Sequence, residues 1–310
     1  MSGDPTPAGS AAQPLARVGL RERHWYREAR AIGRVYVRNR PAVVGAVLLI
    51  GFGLIAAFAP LIAPADPYLP ATSREGVFNP PSWDHLAGTD ALGRDVLSRV
   101  FFGARIAWQI VLVATGVAVG LGVPLGLLAG YVGGKLDELV IMRFVDAVMM
   151  LPGLVLILAL TGAVGPSITN TMLIIGVVWS PGYARLTRGV VLQIRQEVYV
   201  DAARAIGATP ARIMARHLLP NVVAPIMVLA SLSAAGIILV EAGLSFIGAG
   251  VQEPTPAWGR MAAEANKTIL TRSAWPIAGP AIAIILLVMS FNFVGDGVRD
   301  AFDPRLRNIR

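Results

Sequence analysis

Apolar runs occupy residues 41–63, 104–130, 138–162, 168–190, 222–248 and 276–297, with polar segments between them. Each run is about as long as the roughly 20 residues needed to cross a bilayer as a helix. None alternates with the period of two that a barrel strand requires. The pattern predicts an all-α membrane protein with six transmembrane helices. The first run is followed by Ala63-Pro64-Ala65, which loosely resembles a signal-peptide cleavage site. Its apolar core is longer than the roughly 7–15 residues of a signal peptide, so it reads as a retained helix.

The polar segments differ in kind. Residues 1–20 are rich in Ala, Gly, Pro and Ser without periodicity, the signature of disorder. In residues 21–40, Arg23, Arg27, Arg30, Arg34 and Arg38 recur at helical spacing, with Trp25, Ala29, Ile32 and Tyr36 on another face. That is a basic amphipathic helix suited to an anionic membrane surface. The aromatic face, and the apolar run that follows at once, disfavour the rival reading of a nucleic-acid-binding arm.

The basic residues also orient the chain. With the N-terminus inside, segments 1–40, 131–137, 191–220 and 298–310, together with Arg185 and Arg188 at the end of the fourth run, hold nineteen Lys and Arg. The outer segments 64–103 and 249–275 hold six. The positive-inside rule then puts both termini in the cytoplasm. The chain divides into a tail (1–40), a first helix with its outer loop (41–103), a core of five helices (104–297) and a second tail (298–310).

Inside that core, residues 199–221 form a polar island that reads as helix, turn and helix. Asp201 opens the first helix, where an acid suits the dipole, and Ala202, Ala203 and Ala205 give it little bulk. Gly207 supplies a stop, Thr209 an N-cap and Pro210 a first helical residue, and Pro220 closes the second piece. Small residues also mark the spans. Gly116, Gly120, Gly122, Gly126 and Gly130 allow close helix approach, and Pro124, Pro152 and Pro181 permit kinks.

Composition agrees with a membrane protein: 55% of residues are hydrophobic and 15% charged, where soluble domains carry about 25% charged residues. Without cysteine there is no disulfide, thiolate chemistry or Cys-ligated metal. Neither of the two lysines, Lys135 and Lys267, lies in a phosphate-binding loop, so the chain does not hydrolyse ATP by that route. His24, His85 and His217 fall in separate segments outside the spans, and the zinc-protease and nucleophile-elbow patterns of membrane enzymes are absent. An ion-driven transporter places ionisable groups near the midplane. Asp146 lies close to the inner end of its span, with Arg143 as its expected partner. Glu241 is the one acid in run 222–248 and falls in its outer part, where it is expected to point inward, either bonding a neighbouring helix, the favoured reading, or facing substrate.

Asp201-Ala202-Ala203, Gly207 and Leu219-Pro220 resemble the E-A-A, G, L-P signature of permease subunits of ABC importers. Asp201 stands where the family usually has Glu, and His217 where it usually has Ile. V-R-N-R-P-A-V-V-G (37–45), F-A-P-L-I-A-P-A-D-P (58–67) and H-L-A-G-T-D-A-L-G-R-D-V-L-S-R (85–99) add to the likeness. So do E-A-G-L-S-F-I-G (241–248), P-T-P-A-W-G (254–259) and D-G-V-R-D-A-F-D-P-R-L-R (296–307). Together they are similar to the C-type permease of dipeptide, oligopeptide and nickel importers over residues 31–310.

The resemblance implies a type I importer permease in a bacterial inner membrane, paired with a second permease. Two ATPase subunits would sit inside and a solute-binding protein outside. ATP and Mg would be bound by those partners, with no cofactor on this chain. It implies that the 199–221 hairpin, including Thr209, Pro210 and His217, docks on an ATPase. Peptides are the implied cargo, with nickel or glutathione-like solutes as alternatives. In the outer loop, Asp90, Arg94, Asp95 and Arg99 alternate in sign. They read either as the contact for the binding protein or outer gate, or as a solvated loop with local ion pairs.

Overall fold

The computed structural model describes residues 33–69, 76–267 and 274–302. The basic stripe over 21–32 and the end of the last tail lie outside these residues. The described residues are almost wholly helical. They form α1 (Arg40–Ile62), α2 (Val96–Val132), a π-helical turn (Leu136–Ile141) leading into α3 (Met142–Met150), α4 (Gly153–Val164) and α5 (Ile168–Ile194). Then come α6 (Val198–Ala205), α7 (Pro210–Ile213), a second π-turn (Met214–Leu218), α8 (Leu219–Phe246), α9 (Trp258–Asn266) and α10 (Trp275–Phe302).

Four helical stretches among the described residues are long and apolar enough to cross a membrane: Arg40–Ile62, Val96–Val132, Pro210–Phe246 and Trp275–Phe302. A fifth arises if α3 and α4, bent by 94° at Leu151-Pro152, count as one span. The other expected span, α5, has 27 residues, but Trp179-Ser180-Pro181-Gly182 and the arginines Arg185 and Arg188 lower its hydropathy.

Helix α2 is the axis of the bundle. Asp95 caps its start, accepting a bond from the Ser98 N–H at 2.7 Å, so the helix begins at Val96 and takes in residues expected to belong to the loop. It packs closely against α5. A Cβ on Gly130 would lie 2.7 Å from the Val191 Cβ, and one on Gly176 would lie 2.6 Å from the Val117 Cβ. Gly122 and Gly126 meet Ser180, Tyr183 and Ala184 in the same way, whereas Gly116 and Gly120 face open space. Three of the five expected glycines therefore serve this interface, because only those share the face turned to α5.

Of the three prolines expected to interrupt spans, only Pro152 does so. Helices α2 and α5 run on through Pro124 and Pro181. A proline forfeits one hydrogen bond, and well-packed membrane helices tolerate that loss. At the other flank, the Asn39 side chain caps α1 and donates to Asp300 of α10 at 2.9 Å, tying the two helices together.

Candidate functional site

Two polar assemblies occupy the opposite ends of α2. At its C-terminal end lies the hairpin of α6 and α7. Gly207 takes φ +81°, a left-handed turn that side chains with a Cβ resist. Thr209 accepts a bond from the Arg212 N–H, and Pro210 begins α7. Val200, Ala203, Ile213 and Leu218 close a small apolar core beneath the turn. Ala203 is therefore an interior residue, not the exposed knob expected from its small size. Asp201, Ala202 and Thr209 are exposed, and so are the apolar side chains of Val198 and Ile206, at 82% and 86%.

A groove of about 400 Å³ runs between the two helices, lined by Tyr199, Ala202, Ile206, Arg212, Arg216 and His217. The His217 ring lies against Tyr199 with centroids 6.3 Å apart, so the departure from Ile puts a flat ring in the groove. Arg204 pairs with Asp201 at 2.8 Å and stands over the Tyr131 ring, and Arg195 donates to the Gly130 carbonyl at 2.9 Å. Both arginines fasten the hairpin to the end of α2.

Pro220 does not close this unit. Helical backbone runs unbroken from Pro210 to Phe246, with Leu219 and Pro220 as the first residues of α8. The π-turn at Met214–Leu218 widens the ladder just before the ring of Pro220 would clash with it. The Asn221 side chain donates to the His217 carbonyl at 2.7 Å. Beside the hairpin, Arg188 of α5 grips Asp137 through two nitrogens. Arg185 pairs with Asp146, which thus takes its partner from another helix and not from Arg143. Helix α5 offers arginines on the face turned to α3, which outweighs the local i,i+3 option.

At the N-terminal end of α2, Asp90, Arg94, Asp95 and Arg99 are all buried, with exposures of 7%, 3%, 2% and 0%. Neither a solvated loop nor an exposed contact describes them. Asp90 accepts from the backbone N–H groups of Leu92 and Arg94, which folds the loop back. Arg94 donates to Asp90 at 2.6 Å and to Glu264 of α9 at 3.0 Å. Arg99 lies 3.5 Å from Asp90 and donates to the Pro67 carbonyl at 3.1 Å. His85 meets Asp95 at 2.9 Å.

Arg260 stands 3.3 Å from both Glu264 and Glu253. Burial pushes the Glu264 carboxyl above its ordinary 4.5, helped by its bond to Glu253 and opposed by Arg94 and Arg99. Glu253, hydrogen-bonded to Glu264 and more exposed, is pushed the other way. The assembly locks the loop, α2 and α9 into one rigid end. Trp258, from the P-T-P-A-W-G stretch, adds a bond from its indole to the Val100 carbonyl at 3.0 Å.

A family described as binding-protein-dependent transport system inner membrane component matches residues 122–308. The chain belongs to this family. Residues 29–81 also match a domain described as the N-terminal TM domain of oligopeptide transport permease C. Among relatives, the dipeptide transport system permease protein DppC of Escherichia coli K12 is 44% identical over 88% of this chain and 91% of its own. The di/tripeptide transport system permease protein DppC of Pseudomonas aeruginosa is 40% identical over the same shares, 88% and 91%. A chain of the MetNI methionine ABC transporter, solved facing inward, has the same fold. It matches with a TM-score of 0.53 at 17% identity and covers 66% of this chain and 97% of its own.

In this permease, Glu241 sits in the last turns of α8, 4% exposed. It accepts a bond from the Ser245 hydroxyl at 2.7 Å, and the Ser245 oxygen accepts in turn from the Val251 N–H at 3.0 Å. The carboxylate thus bonds within its own helix, and not to a neighbouring one as expected, and holds the turn that leaves α8. Sequence reasoning missed Glu264, Arg260, Asp137 and Leu218. The i,i+4 spacing of Arg260 and Glu264 was a readable signal. Nothing local pointed to a partner for Arg94 170 positions away.

Proposed function

We propose that this chain is one of two permease subunits in an ATP-driven peptide importer of a bacterial inner membrane. The observation that carries the peptide reading is the 44% identity, over 88% of the chain, to a relative described as a dipeptide permease. Its six membrane crossings comprise the four long apolar helices, the bent α3–α4 pair and α5, with both termini in the cytoplasm. The hairpin at residues 198–221 meets an ATPase subunit through Ala202, Ile206 and the groove beside them. The exposed apolar side chains there support this reading, since a solvated loop gains nothing by displaying them. ATP and Mg are bound by the ATPases, and a solute-binding protein delivers cargo to the opposite end, over the locked outer loop.

Co-expression of the chain with a second permease and the ATPases, followed by reconstitution in vesicles, tests the proposal. The ATPases should co-purify, and a dipeptide should be taken up only with ATP and binding protein. Uptake of Ni²⁺ with no uptake of dipeptides would overturn the cargo. Absence of ATPase from the purified complex would overturn the coupling.

A further inference from the structure

Around the hairpin the arginines fall into two groups. Arg185 and Arg188 hold Asp146 and Asp137, Arg195 holds the Gly130 carbonyl and Arg204 holds Asp201. Arg212 and Arg216 are exposed, and among the described residues neither side chain has a hydrogen bond or an ion pair. They lie four positions apart on the helical backbone that follows Pro210, a spacing that sets two side chains on one face.

Both line the groove of about 400 Å³ with Tyr199, Ala202, Ile206 and His217. No carboxylate lines that groove. Asp201, the one acid in residues 198–221, is already engaged by Arg204 at 2.8 Å. The groove therefore has a cationic wall with nothing of its own to neutralise it, facing the apolar side chain of Ile206. A complementary surface carries an acid beside an apolar residue, and guanidinium groups match carboxylates in charge and in shape.

Lipid phosphate is the rival anion. Arg212 and Arg216 precede the apolar run that begins at residue 222 by ten and six positions, about 15 and 9 Å along a helix. The headgroup layer is only about 5–7 Å deep on each side. Arg212 in particular stands clear of it, so a protein surface supplies the acid.

We propose that the hairpin groove is a carboxylate receptor. An acidic side chain of the ATPase enters between Arg212 and Arg216, and an apolar neighbour of that acid covers Ile206. The inference rests on the reading of the hairpin as the ATPase contact, and it gives that contact its charge chemistry. Association is then strengthened by charge and weakened by salt, whereas a contact through Ala202 and Ile206 alone is nearly indifferent to salt.

The permease pair in nanodiscs of neutral phosphatidylcholine, with the ATPases added back, serves as the test. Binding is titrated in NaCl at about 0.1 M and about 1 M, where charges are screened beyond about 10 Å and about 3 Å. Arg212→Gln combined with Arg216→Gln should weaken binding about ten-fold at low salt, and the difference from the unaltered chain should vanish at high salt. Arg212→Lys combined with Arg216→Lys keeps the charge and should retain most of the salt dependence. Ile206→Ala should weaken binding by a similar factor at both concentrations. Both arginines are exposed, so all these chains should melt alike. Unchanged affinity and salt dependence in the Gln pair would sink the carboxylate receptor and leave apolar docking intact. A loss confined to nanodiscs that contain phosphatidylglycerol would assign the arginines to lipid and overturn it as well. Failure of the unaltered permease pair to bind ATPase would overturn the reading of the hairpin itself.

Discussion

Arg188 holds Asp137 with its Nε and Nη2, at 2.6 to 2.9 Å, joining α5 to the π-turn before α3 across 51 positions of chain. Asp137 is buried and Arg188 only partly exposed, so removing one partner strands a charge. Arg188→Gln should lower the stability of the purified complex by about 2–3 kcal/mol. Adding Asp137→Asn should restore part of the loss, as read by thermal unfolding in detergent. An additive double variant would argue against a direct pair.

The hairpin separates two neighbouring alanines. Ala202→Arg adds a long side chain to an exposed groove and should leave the fold intact while weakening ATPase co-purification and uptake. Ala203→Arg drives a charge into the core formed by Val200, Ile213 and Leu218 and should lower the yield of the chain itself. Full transport by Ala202→Arg would remove this face from the coupling contact.

The outer lock is expected to respond to pH. Because folding raises the Glu264 pKa above 4.5, the folded state binds more protons than the unfolded one just above that value. The contribution of Glu264 to stability is therefore present at low pH and lost as pH rises through its folded pKa. Glu264→Gln keeps a bond to Arg94 and removes the titration, so melting temperature should depend less on pH in the variant over that range. Superimposable pH profiles would show that Glu264 stays ionised.

Glu241 and Ser245 form a small local brace. Glu241→Gln preserves an acceptor for Ser245 and should assemble and transport nearly normally. Glu241→Leu leaves the hydroxyl without its acceptor and should cost about 1–3 kcal/mol, seen as lower complex yield. Full yield of Glu241→Leu with altered preference among peptides of different charge would instead make Glu241 a substrate contact.

Orientation has a direct chemical readout. Trp83 is 95% exposed at the outer-lock end, and Thr209 is exposed at the hairpin tip. An impermeant thiol reagent should label Trp83→Cys in sealed cells and Thr209→Cys only after permeabilisation. The reverse pattern would invert the proposed topology.

The parts of the fold that were legible in the sequence are those governed by local rules. Apolar run length marked the helices, Thr209 and Pro210 marked the start of α7, and Gly207 marked the left-handed turn. The errors came from interactions that join distant positions. The charges at 90–99 read as either a contact or gate or a solvated loop, and not as a buried cluster, because Glu264 and Pro67, which help bury them, are remote in sequence. Pro220 looked like a terminator because a proline-tolerant π-turn has no simple sequence mark. Ala203 looked like a surface knob because a small residue suits a crowded interior equally well.

The continuity of backbone through Met214–Leu218 has a mechanical consequence. From Pro210 to Phe246 the chain makes a single rod of 37 residues, about 55 Å long at 1.5 Å per residue. If the hairpin couples to an ATPase as proposed, a push beside Thr209 would act on one continuous helix, and the rod would turn as a seesaw. A tilt of about 10° about its middle swings each tip by about 5 Å. Ser233, two-thirds of the way along, would move with it, in step with the far end of the beam.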